Sequence, residues 1–258
     1  MIRLLFLSLI SGVASAALVE SDVIYQDGDA ELEGFHVYDD EVNGERPGIL
    51  IIHQWMGLSD YEKGRARQLA ELGYNVFAAD IYGKGIRPDS TKEAGKQAGT
   101  YKSDRELFRS RVTAGLKVLQ GHELTKTGNL ASIGYCFGGT GVLELARSGA
   151  EIQGVVSFHG GIGPDRGMEA RVGRIPAKIL VLHGADDPFV SAKEIDAFKT
   201  EMNEAKANWQ MNSYSGAVHA FTQPQAGDDN SKGAAYNEQA DERSWQAMKR
   251  FFNEIFDQ

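Results

Sequence analysis

The 258-residue sequence predicts an α/β fold: a mostly parallel central sheet with helices on both faces and a short antiparallel edge at the N-terminus. Three observations carry that expectation. Continuous apolar runs suited to strands buried on both faces alternate with stretches of helical spacing. No internal repeat, low-complexity linker or break in composition divides the chain. The only cysteine, Cys136, stands at a sharp reversal between one such apolar run and a helix opened by glycines.

The elements follow in order. Residues 1–16 begin with Arg3, continue through an apolar run and end in Ala14-Ser15-Ala16, the pattern of an export signal cut after Ala16. The run is too short for a membrane span, which needs about 20 apolar residues. A single domain over residues 17–258 is expected, secreted and periplasmic, with no membrane partner once the leader is removed. Val23 to Tyr25 and Phe35 to Tyr38 read as short strands joined around Asp27-Gly28-Asp29. Ile49 to His53 is a continuous apolar strand, Tyr61 to Leu72 a helix closed by Gly73, and Val76 to Asp80 the next strand.

A helix follows from Ser103 to Leu119, with Ser103 and Glu106 spaced as a capping box and Phe108, Val112, Leu116 and Leu119 forming its apolar stripe. Strands are expected at Leu130 to Ile133, Val155 to Phe158, Ile179 to His183 and Trp209 to Tyr214. Ser191 and Glu194 form a second capping box, opening a helix that turns Ile195, Phe198 and Met202 inward. The last helix puts Trp245, Met248, Phe252 and Ile255 on one face, and the polar segment 227–233 before it reads as a loop.

A formal charge of −9 argues against a nucleic-acid partner and favours small-molecule chemistry. One cysteine cannot form an internal disulfide, so Cys136 carries a free thiol in an oxidising compartment. A free cysteine is commonly a small buried hydrophobe. Its setting points elsewhere. In Gly134-Tyr135-Cys136-Phe137-Gly138-Gly139 the glycines two before and two after the cysteine match the nucleophile elbow GxSxG of α/β-hydrolases, with sulfur in place of oxygen.

A thiol is only a few per cent ionised at neutral pH, so it needs a base, and the base needs an acid to orient it. His219 lies just past the strand ending at Tyr214, and Asp187 lies past the strand ending near His183, in the spacing Gly184, Asp187, Val190. Asp186, one residue early, reads as a cap or a solvent-facing group. The chain order Cys136, Asp187, His219 is that of α/β-hydrolases. Sites in such sheets gather at the carboxyl ends of strands. In this fold the oxyanion is held by two backbone N–H groups, which points to Phe137, directly after the nucleophile, and to Trp55, after the strand ending at His53. His183, Asp186, Asp187 and His219 lack the spacing that presets a metal site, and no metal or other cofactor is expected.

The motifs Gln54-Trp55-Met56-Gly57-Leu58, Ala79-Asp80-Ile81-Tyr82-Gly83-Lys84-Gly85, GxCxGG, His183 to Val190 and His219-Ala220-Phe221 together resemble the dienelactone hydrolase family over most of the chain. The resemblance implies an α/β-hydrolase fold and a Cys136, Asp187, His219 triad. It also implies hydrolysis of a small-molecule ester or lactone through a cysteinyl thioester, in a pocket including Gln54, Trp55, Tyr82, Lys84 and Gln223. The sequence departs from the pattern of the family's lactonases at three of these: Gln54 replaces a glutamate beside the nucleophile, and Lys84 and Gln223 replace two carboxylate-binding arginines. A strongly acidic lactone is therefore disfavoured as substrate. The alternatives are a peptidase, which thioester chemistry disfavours, and a non-hydrolytic ligand-binding or redox-responsive thiol protein on the same fold.

Overall fold

A computed structural model describes residues 17–164, 169–170 and 173–256; the expected leader lies outside the described residues. The elements are β1 (Leu18–Asp27), β2 (Ala30–Asp39), β3 (Arg46–Ile52), α1 (Asp60–Ala70), β4 (Asn75–Ala79), α2 (Thr91–Ser103), α3 (Arg105–Gln120), β5 (Thr125–Tyr135), α4 (Phe137–Arg147), β6 (Gly154–Phe158), β7 (Lys178–Gly184), α5 (Ala192–Glu204), β8 (Trp209–Tyr214) and α6 (Glu238–Phe256). One eight-stranded sheet runs in the order β1-β2-β4-β3-β5-β6-β7-β8. β1 pairs antiparallel with β2 and β2 antiparallel with β4; every other pairing is parallel.

The continuous apolar runs are explained by burial on two faces. Along β3, Leu50 and Ile52 enter one core while Ile49 and Ile51 enter the other, as the two-residue period of a strand requires. The first core is closed by Phe108, Val112 and Leu116 of α3, Val142 and Leu145 of α4, and Phe198 and Met202 of α5. The second is closed by Ala66 and Leu69 of α1 and by Met248, Phe251 and Phe252 of α6. The expected capping box of Ser191 with Glu194 opens α5, and Ser59 with Glu62 forms another at the start of α1. No helix among the described residues is long and apolar enough to cross a membrane.

Two expectations need correction. The antiparallel edge is not short: β1 and β2 are ten residues each, paired from Leu18 with Asp39 to a turn at Gly28-Asp29 where Gly28 has φ +58°. Ladder hydrogen bonds recruit the polar run Glu20-Ser21-Asp22, which hydrophobic periodicity does not register. Ser103 does not cap a helix either. It ends α2, its hydroxyl donating to Gly99 O at 2.9 Å, and Asp104 caps α3 by accepting the Leu107 N–H at 2.9 Å. α2 went unseen in the sequence because its buried face is only Ala94, Ala98 and Tyr101.

Candidate active site

At the end of β5 the backbone of Cys136 takes φ +54°, ψ −112°, a conformation unfavourable for a side-chain-bearing residue, and lifts the thiol out of the sheet. The flanking glycines are required by contact. A Cβ on Gly134 would sit 2.1 Å from Gly138 O, and one on Gly138 would sit 2.1 Å from Ile52 O. The Cys136 N–H still donates to Phe158 O at 3.0 Å, so the reversal is pinned to β6. α4 begins at the next residue, which puts the sulfur at a helix N-terminus, a setting that favours thiolate.

The three predicted side chains meet. His219 Nε2 lies 3.0 Å from Cys136 Sγ, and His219 Nδ1 lies 2.8 Å from Asp187 Oδ2. The other carboxylate oxygen of Asp187 accepts the Phe189 N–H at 2.8 Å. Burial opposes charge on both members of the thiol–imidazole pair, but each outweighs that cost for the other. The Cys136 thiol is held below its ordinary value by His219 and, more weakly, by Lys102 and the Phe137 N–H. The His219 imidazole is pushed up to about 10 by Cys136 and Asp187. Both shifts favour a thiolate–imidazolium pair over a neutral thiol and imidazole.

Asp186 does what its position suggests: it accepts the Gly216 N–H at 3.1 Å and its own N–H donates to Ala217 O at 3.0 Å, clamping the loop that leads to His219. The segment 227–233 braces the same loop, since Gly233 O accepts the His219 N–H at 3.2 Å and the Ala235 N–H donates to His219 O at 3.0 Å.

The loop after β3 is tightly tied. Gln54 is buried; its N–H donates to Glu62 Oε1 at 3.1 Å and its Oε1 accepts the Met56 N–H at 2.9 Å. The Gly57 N–H donates to Gln54 O at 3.1 Å, which leaves the Trp55 N–H without a partner among the described residues. Tyr82, also buried, donates its hydroxyl to Trp55 O at 2.9 Å. The Phe137 ring stacks on Phe108 with centroids 4.4 Å apart, anchoring the second candidate donor.

Lys84 does not join this group: its ammonium pairs with Glu31 at 2.8 Å on the surface, and the lysine that bears on the thiol is Lys102 of α2. Gln223 is half-buried, and its Nε2 is buried with no partner among the described residues. Sequence reasoning missed His159, Phe189 and Glu62. The His159 ring lies 5.3 Å from that of His219 and bonds Thr222 Oγ1 at 2.8 Å, while Phe189 meets the imidazole edge-on at 5.3 Å and is 61% exposed. His159 ends a strand just as His183 does, and Ser59-x-x-Glu62 is a legible capping box, so both signals were present. A groove of about 620 Å³, lined by Arg109, Arg147, Glu151 and Arg174 among others, lies at the opposite end of α4 and holds none of the triad.

Known proteins share this fold. A solved structure named m3DLH is 37% identical, covers 93% of this chain and 99% of its own, and superposes with a TM-score of 0.88. A dienelactone hydrolase-like promiscuous phosphotriesterase, P91, from metagenomic libraries is 38% identical over 93% of this chain and 99% of its own, with a TM-score of 0.87. A probable 2-oxo-3-(5-oxofuran-2-ylidene)propanoate lactonase of a Bradyrhizobium species is 28% identical over 188 residues, 70% of this chain and 75% of that one. The sequence pattern of the Dienelactone hydrolase family matches residues 32–256. On that match and those structures, the chain belongs to the dienelactone hydrolase family and is a hydrolase of carboxylic esters or lactones.

Proposed function

We propose that the protein hydrolyses small neutral or weakly anionic esters or lactones through a thioester on Cys136. The observation that carries this reading is the continuous contact from sulfur to imidazole to carboxylate, 3.0 Å and then 2.8 Å, at the carboxyl end of the sheet. The thiolate attacks the carbonyl carbon, and the oxygen that gains the charge is received by the Phe137 and Trp55 N–H groups. Collapse breaks the carbon–oxygen bond to the alcohol, which leaves with the proton of His219 Nε2. The now neutral imidazole takes a proton from water as the water oxygen attacks the thioester. The acid departs, and thiolate and imidazolium are restored. Asp187 keeps the imidazole oriented through Nδ1.

Gln54 cannot ionise, so no carboxylate at that position competes with Cys136 for His219. The absence of a cation from position 223, and the pairing of Lys84 with Glu31, support a substrate without a second strong negative charge. Residues 1–16 support export to the periplasm, which N-terminal sequencing of the protein recovered from that compartment checks. A panel of short aryl esters and lactones, with a phosphotriester added because P91 is named for that activity, tests the reaction class. Cys136→Ala and His219→Ala are expected to abolish turnover; turnover surviving in Cys136→Ala would remove the nucleophile assignment.

A further inference from the structure

His53 is the last apolar-strand neighbour of the site and takes no part in the proton relay, yet it is wholly buried beside both candidate oxyanion donors. Its ring stacks on Phe137 with centroids 5.8 Å apart and an interplanar angle of 23°, and meets Tyr82 edge-on at 4.7 Å. Its Nδ1 lies 2.6 Å from Gln54 O, and the Ile81 N–H reaches its Nε2 at 3.1 Å. A backbone N–H can only donate and a carbonyl can only accept, so these two partners fix the tautomer: hydrogen on Nδ1, lone pair on Nε2. Burial keeps the ring neutral, with its pKa lowered to about 4.

We propose that His53 is a positioning residue that sets the direction of the Trp55 N–H. The claim rests on the hydrolase reading above and on the geometry of one peptide. Gln54 O and Trp55 N belong to the same planar unit, and in a trans peptide the C=O and N–H point in opposite directions. Holding the oxygen from His53 Nδ1 therefore aims the hydrogen on the far side. The Gly57 N–H shares that oxygen at 3.1 Å, but it belongs to the same loop and moves with it. His53 ends the strand and is locked to Ile81, past the end of the neighbouring β4, so it ties the loop to the sheet.

Two substitutions separate the ring's bonds. His53→Asn keeps a donor near the place of Nδ1; His53→Gln keeps a polar group near the place of Nε2 and loses the donor to Gln54 O. Each variant is assayed in two reactions at one pH: acylation of Cys136 by p-nitrophenyl acetate, which builds an oxyanion, and alkylation by iodoacetamide, which displaces iodide from carbon and builds none. The expected result is an acylation rate lowered about 10- to 100-fold in His53→Gln and only a few-fold in His53→Asn, since an oxyanion donor is worth on the order of 10²- to 10³-fold when removed outright. Alkylation stays within about two-fold of wild type in both.

Acylation unchanged in His53→Gln, or alkylation falling in step with acylation, would overturn the proposal. Should the variants not fold, ¹⁵N–¹H correlation of the imidazole in the wild-type protein decides it: a hydrogen on Nε2 of His53 removes the bond on which everything here depends. Wild-type protein that alkylates but acylates with no ester would instead sink the hydrolase reading itself.

Discussion

Two neighbouring strand ends supply the candidate oxyanion donors, and they are built in opposite ways. The elbow after β5 is held by backbone shape. Glycines at 134 and 138 let main chain pass main chain at distances no Cβ tolerates, and the strained Cys136 is fixed between the strand that ends just before it and the helix that begins just after it. The loop after β3 is held by side chains from elsewhere: Glu62 from α1, Tyr82 from beyond β4, and His53 reaching across to Ile81. A site can therefore combine one donor whose direction is set by local sterics with another whose direction is set by a hydrogen-bonded scaffold. The two should fail differently when perturbed.

The largest effect is expected at the elbow. Gly138→Ala places a methyl 2.1 Å from Ile52 O, a clash with backbone that no rotamer relieves, and the fold should lose more than about 3 kcal/mol in urea denaturation. A stable, active Gly138→Ala protein would break the comparison. In the loop, Glu62→Gln replaces an acceptor that receives the Gln54 N–H, the Ser59 N–H and the Ser59 hydroxyl with an amide that turns a donor toward one of them. The expected cost is about 1–3 kcal/mol. Ester turnover should fall roughly ten-fold while iodoacetamide alkylation holds, because the loop moves and the elbow does not.

A third test concerns charge at the elbow. With the thiol held down and His219 held up to about 10, alkylation should stay nearly flat from pH 7 to pH 8, where an ordinary thiol gains close to ten-fold. The linkage sign follows. The raised His219 stabilises fully below its ordinary value of 6.5 and loses that contribution as pH rises toward 10; the lowered Cys136 stabilises fully above its ordinary value of 9.0 and loses it as pH falls. Between 6.5 and 9.0 the two contributions therefore slope in opposite directions and offset one another. A steep slope in alkylation would show that the sulfur rests as a thiol. The smallest effect is expected from Tyr82→Phe, which removes one hydrogen bond to Trp55 O: about 1 kcal/mol in stability and a few-fold in ester turnover.

The same contrast explains what could be read in advance. GxCxGG and the capping box at Ser191 are written in spacings of a few residues, and the order Cys136, Asp187, His219 is read along the chain from three separate strand ends. Lys84 misled because its place in the chain borders the site while its ammonium is claimed by Glu31 of β2, a partner fixed only once the hairpin has docked. Ser103 misled because Asp104, one residue on, competes for the same capping role and the buried Tyr101 keeps α2 helical up to that point.

The sequence by itself determined the alternation of strands and helices and the reversal at Cys136, because periodicity and turn sterics act between residues close in the chain; its two partners were legible from their places after strands and their order. The tertiary structure alone decided that His53 is locked to Ile81, that Tyr82 holds the loop, and that His159 and Phe189 flank the imidazole. Those contacts join residues up to 60 positions apart, His159 to His219 being the widest, and they exist only where strand order brings them side by side.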